Sequence, residues 1–248
     1  MHGAPIMTER ITIPLLATAL HPCAYLSDRE ARLVFLAPSP ASDPEPLYPA
    51  LLAAGFRRSG PDLYRPDCPS CSACTPIRIP VRDFVPDRQQ RRTLKINQDV
   101  VIRILDAVVN EAHFALYQRY LWARHPEDAE KNSDEDDYRQ FLQSGWSSGS
   151  RLIELSLEDG TLLAVALVDM TGSALSAVYT WYDPGMAARS PGTLSVLLQI
   201  RLAAEWGLTW LYLGYWISTC RKMAYKCRFA PAEVMRDGLW MALKPEDG

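Results

Sequence analysis

The stretch RLIELSLEDGTLLAVALVDMTGSALSAVYTWYDP, residues 151–184, decides the fold. It reads as three strands, RLIELSL (151–157), TLLAVALVD (161–169) and ALSAVYTWY (174–182). The first two meet at Asp159-Gly160, a pair suited to a tight hairpin turn. Working outward, RSPGTLSVLLQIRLAAEWG (189–207) reads as a helix. Ser190 is its expected N-cap, Pro191 its first helical residue and Gly207 its stop. A strand, TWLYLGYW (209–216), a helix, STCRKMAYKCRF (218–229), and a final strand within AEVMRDGLWMAL (232–243) follow. Upstream, Phe114, Leu116, Tyr117, Tyr120 and Leu121 recur at helical spacing within residues 110–125. The acidic run EDAEKNSDEDD (127–137) caps a second helix, EDDYRQFLQSGW, where acids suit the positive N-terminal end.

The order from residue 110 is therefore α-α-β-β-β-α-β-α-β. That is the order of the GNAT N-acyltransferase superfamily, whose best-known members acetylate amines from acetyl-CoA. In that superfamily an Arg/Gln-x-x-Gly-x-Gly/Ala loop opens the helix that holds the donor's phosphates on bare backbone N–H groups. Here the loop is Arg189-Ser-Pro-Gly192-Thr-Leu194. The last small residue is replaced by Leu194, which argues against a closely held pyrophosphate and so against CoA. A plain Pro/Gly helix start is the simpler reading of the loop. A CoA-dependent N-acetyltransferase stays as the alternative reading of the chain.

The first half is less regular. Residues 37–46, APSPASDPEP, read as a loop, followed by a short helix closed by Gly55. LYRP (63–66) and TPIRIPV (75–81) read as strands flanking the loop that carries Cys68, Cys71 and Cys74. DRQQRRTLKIN (87–97) is a basic helix or turn, and DVVIRIL (99–105) a strand. We expect an α/β (α+β) chain of two domains, an N-terminal one over residues 1–105 and a GNAT-like catalytic one over 106–248.

Apolar residues at 48% and charged residues at 22% mark an ordinary soluble globular chain. The run ITIPLLATAL (11–20) is too short to cross a bilayer. No small-x-small cleavage site follows it, so it reads as a loop and a buried edge rather than a secretory signal. We expect a cytoplasmic protein. The net charge of −3 hides an asymmetry: residues 127–137 carry a net −6 and residues 57–103 a net +5. Such a basic half permits a nucleic-acid partner, and a mixed solvated surface accounts for it equally. C-x₂-C-x₂-C supplies three thiolates, whereas a closed zinc site takes four ligands. Cys23 is the best fourth ligand and His21 the second. Loop thiols without a metal are the other reading.

GFRRSG (55–60), LYRPDCPSCSACTPIRIPV (63–81) and F-x-P-x-R-x-Q-R-R (84–92) resemble the N-terminal half of bacterial aspartate/glutamate leucyltransferases. These are relatives of eukaryotic arginyl-tRNA–protein transferase. LLAVALVD, LSAVYTWYDP, ARSPGT and LYLGYWISTCRKMAYKCRF resemble the C-terminal half. The likeness runs from about Cys23 to Trp240. Three departures stand out. The basic run after QRR is thinner, with Leu94 and Ile96 beside Lys95. Pro191 follows Arg-Ser where Leu is common. Residues 126–133 lack the usual Gly- and Met-containing turn. The resemblance implies transfer of leucine, or less readily arginine, from its tRNA to proteins that begin with Asp or Glu. The product then enters N-degron (N-end rule) degradation. It also implies a metal or iron–sulfur cluster on Cys23, Cys68, Cys71 and Cys74, organising the N-terminal domain or sensing redox state. No cofactor is required for the bond itself, and no membrane is involved.

An ester becomes an amide, so the reaction runs downhill. The α-amine has a pKa of roughly 7.7–8.0, so a fraction is unprotonated at neutral pH. Positioning and oxyanion stabilisation then carry most of the rate, by direct attack. Tyr179 and Trp181 share one face of their strand, and Tyr215 completes the aromatic catalytic candidates. Glu154 could take the amine's proton, although a salt-bridged Glu is the commoner outcome. Gly214 lets a ligand approach the backbone, and Tyr215 and Trp216 could stack on the tRNA's terminal adenine or simply fill the core. Arg57 or Arg58 is expected on the acceptor's carboxylate. Lys222 and Lys226, at i, i+4, are expected on tRNA together with Tyr225 of the same motif. Arg88, Arg91 and Arg92 are phosphate candidates on charge alone. Arg189 and Gly192 belong to the donor loop.

Overall fold

The computed structural model describes residues 14–36, 44–129, 134–244 and 247. Residues 37–43 of the Pro-rich loop, 11–13 of the first apolar run and 130–133 of the acidic run lie outside the described residues. In chain order the elements begin with β1 (Leu16–Ala17), β2 (His21–Pro22), β3 (Glu30–Ala31), β4 (Leu33–Leu36) and α1 (Tyr48–Ala53). β5 (Arg57–Ser59), β6 (Asp62–Pro66), β7 (Thr75–Pro80), α2 (Arg88–Ile96) and β8 (Val100–Asp106) follow. Then come α3 (Glu111–Arg124), α4 (Pro126–Ala129), α5 (Glu135–Leu142), β9 (Ser150–Leu157), β10 (Leu162–Thr171) and β11 (Ala174–Tyr182). The chain continues through α6 (Pro191–Glu205), β12 (Trp210–Trp216), α7 (Arg221–Ala224), β13 (Glu233–Arg236) and β14 (Leu239–Ala242).

The main sheet has eight strands in the order β14-β13-β7-β12-β11-β10-β9-β8, and only β11–β12 pair in parallel. The three-strand meander lies where the alternating sequence puts it. Its odd and even positions face opposite sides, as the pleat dictates. Ile153, Leu155, Ala164 and Ala166 pack under α6, whereas Leu152, Val165 and Leu167 pack under α3 and α5. A smaller sheet, β1-β4-β6-β5, closes a third core with α1 and Trp146. The division expected at residue 105 falls inside β8, and β7 and β8 share the main sheet with the later strands.

Local signals explain most boundaries. Asp87 caps α2 reciprocally with Gln90, and Asn110 and Asp134 cap α3 and α5. Four readings need correction. Ser190 precedes α6 in the left-handed region at φ 52° and makes no side-chain cap, because the chain turns sharply out of a 3₁₀ segment (Pro184–Arg189). The helix expected over 218–229 is one α-turn, α7, and a 3₁₀ turn, Tyr225–Arg228. The last strand is a hairpin whose turn residues, Asp237 and Gly238, take φ of 50° and 76°. An Asp-Gly pair is the strongest short hairpin signal. The early apolar run forms an exposed edge, not a buried one: Leu15, Leu16 and Leu20 are each about half or more exposed.

One buried cluster ties the two halves together. Asp169 on β10 accepts from Arg58 Nε at 2.6 Å and Nη2 at 3.1 Å, Tyr48 Oη at 2.8 Å and Ser150 Oγ at 2.6 Å. The side chains of Arg58 and Asp169 are fully buried. Arg58 Nη1 also donates to the carbonyls of Gly60 and Gln143, both at 2.8 Å.

Candidate active site

β11 and β12 pair only from Ala174–Ser176 against Trp210–Tyr212. Beyond that point they part. β11 is bulged, with Ala177 and Tyr179 opposite consecutive residues of β10. β12 is bulged as well: its pairing with β7 skips from Tyr212 to Tyr215, and Gly214 sits at φ 79°. An L-residue is strained there, so glycine is what lets the strand bend away. Leu213 and Gly214 thus lie outside both ladders.

The gap holds a cavity of about 500 Å³. Its floor is Ala177–Thr180 and Leu213–Tyr215, and Tyr117 and Tyr120 of α3 and Phe141 of α5 stand over it. The rings of Tyr120 and Phe141 meet Tyr179 edge-on at 6.1 Å and 5.5 Å. A second pocket, about 710 Å³, continues past Tyr182 to the start of α6. The two share Tyr120, His125, Thr180, Val196, Lys222 and Tyr225. Their lining includes Arg57, Arg58, Arg124, Arg221, Lys222 and Lys226, and no Asp or Glu among the described residues.

Two cations of this lining are unusual. Arg57 is 4% exposed, and its Nε and Nη2 have no partner among the described residues. Nη1 donates to the carbonyls of Leu52 and Phe56, and the guanidinium lies over Tyr212 and Tyr215 at 5.0 and 5.7 Å. Burial pulls its pKa down. Lys226 Nζ donates to the carbonyl of Tyr215 at 2.7 Å and touches Met223 Sδ at 3.6 Å. No carboxylate among the described residues pairs with it. Burial first, and then the charge of Arg57, bring its pKa down to about 7.

Of the residues expected from sequence, Arg57, Tyr179, Gly214, Tyr215, Lys222, Tyr225 and Lys226 meet in this crevice, and Gly192 lines the adjoining pocket. Tyr215 is fixed, its hydroxyl donating to the Gly55 carbonyl at 2.8 Å. Arg58 lines the cavity but is committed to Asp169. Others stand elsewhere. Glu154 is held by His113 Nε2 at 2.7 Å and Arg103 Nη1 at 3.0 Å, on the face of β9 covered by α3, and does not reach the crevice. Trp181 is core, its Nε1 donating to the His113 carbonyl at 3.1 Å. Trp216 points into the core beneath α6, so it is not the surface for a base. Arg189 makes a bidentate pair with Asp99 at 2.8 Å, which holds that carboxyl below its usual range. Arg88, Arg91 and Arg92 lie on the exposed side of α2, outside the crevice. Leu194 faces the core from the first turn of α6, so its side chain does not obstruct the pocket.

The cysteines are near one another without converging. Burial, and then Cys23, Cys68 and Cys71, push the Cys74 thiol up to about 12. Arg29 Nη1 donates to Cys71 Sγ at 3.2 Å. Among the described residues no three Cys, His, Asp or Glu side chains are placed to share a metal ion. As placed, the thiols are not gathered around one point.

Sequence reasoning missed Tyr117, Tyr120 and Phe141 as walls of the crevice. The helical spacing of Tyr117 and Tyr120 marked a packing face; that the face carries tyrosines beside its aliphatic residues was the available signal. Because Glu154 is remote, Glu154→Gln is expected to keep the catalytic rate within about twofold. Loss of the carboxylate oxygens that face His113 and Arg103 should lower stability by about 1–3 kcal/mol, read by urea denaturation.

A meander followed by a helix and a parallel strand that splays open over a crevice is the arrangement of an N-acyltransferase, here with a cationic, aromatic lining. Two family models match the chain, the Arginine-tRNA-protein transferase N terminus over residues 21–92 and its C terminus over 112–236. The chain belongs to the arginine-tRNA-protein transferase family, and is an aminoacyltransferase. It is 43% identical to an aspartate/glutamate leucyltransferase of Teredinibacter turnerae, over 95% of this chain and 96% of the relative. The leucyltransferase of Nitrosococcus oceani is 45% identical over 90% and 93%. Among solved structures, a C-terminal domain of a putative lysylphosphatidylglycerol synthetase from Agrobacterium fabrum superposes with TM-score 0.46 at 13% identity, over 79% of this chain and 62% of that one.

Proposed function

We propose that the protein transfers leucine from leucyl-tRNA to the α-amine of proteins beginning with Asp or Glu, marking them for N-degron degradation in the cytoplasm. The observation that carries this is the lining of the crevice: buried cations at one end, aromatic rings over the middle, and no carboxylate among the described residues. An acceptor carboxylate fits the two unpartnered nitrogens of Arg57 as a planar bidentate pair. A leucyl side chain fits beneath Tyr117, Tyr120 and Phe141, where an arginyl group would meet like charge. The second pocket, with Arg124, Arg221 and Lys222, takes the phosphates and terminal nucleoside of the tRNA. The backbone amides of Leu213 and Gly214 are the donors available to the tetrahedral oxyanion. No described helix is long and apolar enough to cross a membrane.

Incubation with radiolabelled Leu-tRNA or Arg-tRNA and peptides starting with Asp, Glu or Lys tests this. Leucine on the Asp and Glu peptides alone is expected; label on none, or arginine preferred over leucine, defeats it. Metal analysis of anaerobically purified protein tests the cysteine set. A stoichiometric ion would support the metal reading, with the thiols drawn closer than they stand here.

A further inference from the structure

We infer that Lys226 is a catalytic residue that shuttles the proton of the reaction, a role that rests on the leucyl-transfer reading above. Its Nζ borders the cavity where β12 bends away at Gly214; a Cβ built on Gly214 would stand 3.6 Å from it. On one side is Arg57, the seat of the acceptor's carboxylate. On the other are Lys222 and Tyr225, where the donor pocket opens. An acceptor amine between its own carboxylate and the incoming ester lies beside this nitrogen. Glu154, the carboxylate that sequence suggested for the task, is outside the crevice and occupied.

The step balances as follows. The neutral α-amine attacks the ester carbonyl, and the N–C bond forms. The nitrogen, now cationic, gives one proton to the neutral Nζ of Lys226. Lys226 returns it to the ribose oxygen as the C–O bond breaks. The amide and a free ribose hydroxyl result, and Lys226 ends as it began. A lysine that titrates near 7 suits both halves, because neither form is strongly preferred at working pH. The charged and titratable groups that act on it are Arg57 of β5, which opposes its protonation, and the thiols of Cys74 and Cys220, which favour it when ionised. Cys74 is pushed up to about 12 and stays neutral at pH 7.

Lys226→Met and Lys226→Ala test this in the leucyl-transfer assay, with thermal melts confirming the fold. In Lys226→Met the kcat should fall roughly 10²-fold or more, with the KM for an Asp peptide little changed. Below pH 7, log kcat of the wild type should rise with a slope of two, one proton from the amine and one from Lys226. The variant should keep a slope of one. Ethylamine in solution should restore peptide leucylation to Lys226→Ala. Stability offers a readout without activity. The folded pKa lies below the unfolded value, so wild-type stability rises with pH from about 7 to roughly 10.4, and Lys226→Met should lose that rise. A folded Lys226→Met with wild-type kcat overturns the shuttle and leaves the leucyl reading intact. A folded Lys226→Ala that is inactive and not rescued by ethylamine also overturns it. No transfer by the wild-type protein overturns both.

Discussion

Replacing Arg57 with Met is expected to remove leucyl transfer to acidic N-termini while leaving the protein as stable as the wild type, or more so. Loss of a buried, charge-assisted pair to a carboxylate costs about 3 kcal/mol or more, roughly two orders of magnitude in kcat/KM. The stability result has the opposite sign from most core substitutions, and the reason is specific. Arg57 is buried with no counter-ion among the described residues, and burial lowers its pKa. Removing it relieves a desolvation penalty that no counter-ion among the described residues offsets, and Met fills much of the same space. The loss of donors to the Leu52 and Phe56 carbonyls works against this, at about 1 kcal/mol each. Arg57→Lys should not rescue activity, because a point charge cannot reproduce the planar fork. Transfer kinetics and a urea melt on each variant check both halves.

Asp169→Ala is expected to behave in the reverse way, losing stability rather than chemistry. Asp169 is the acceptor of four donors, and Arg58 beside it is fully buried. Breaking one member of such a pair leaves an uncompensated cation, at about 3–5 kcal/mol. That is a large share of the 5–15 kcal/mol typical of a folded domain. The double replacement Arg58→Met with Asp169→Leu removes both charges and should recover a good part of the loss. Urea denaturation of the single and double variants measures the coupling. Because this cluster joins α1 and β5 to β9 and β10, it also fixes the strand on which Arg57 stands. Residual activity of folded Asp169→Ala should therefore show a raised acceptor KM.

The three strands of the meander were legible because alternation and Asp159-Gly160 are local signals, and so were α3 by its helical spacing and α6 by Pro191 and Gly207. The hairpin at Asp237-Gly238 carries an equally local signal. What sequence could not give was which strands join one sheet. TPIRIPV pairs with β12 and β13, more than a hundred residues away, through long-range register that no local pattern encodes. The site divides along the same line. Arg57 and Arg58 are adjacent and alike in sequence, yet alternate strand faces send one to Asp169 and leave the other with two open nitrogens. Tyr179 and Trp181 share a strand face, but α3 covers the second completely. Glu154 and Lys226 could not be ranked without knowing that β9 lies two strands from the crevice.

The central claim is that Arg57 reads the acidic side chain of the acceptor within the crevice between β11 and β12. The measurement that tests it most directly is single-turnover leucine transfer to two peptides that differ only in an N-terminal Asp or Asn, by wild-type protein and by Arg57→Met. The account predicts a wild-type preference for Asp of roughly 10²-fold that falls close to one in the variant. An undiminished preference for Asp in a folded Arg57→Met protein would contradict it.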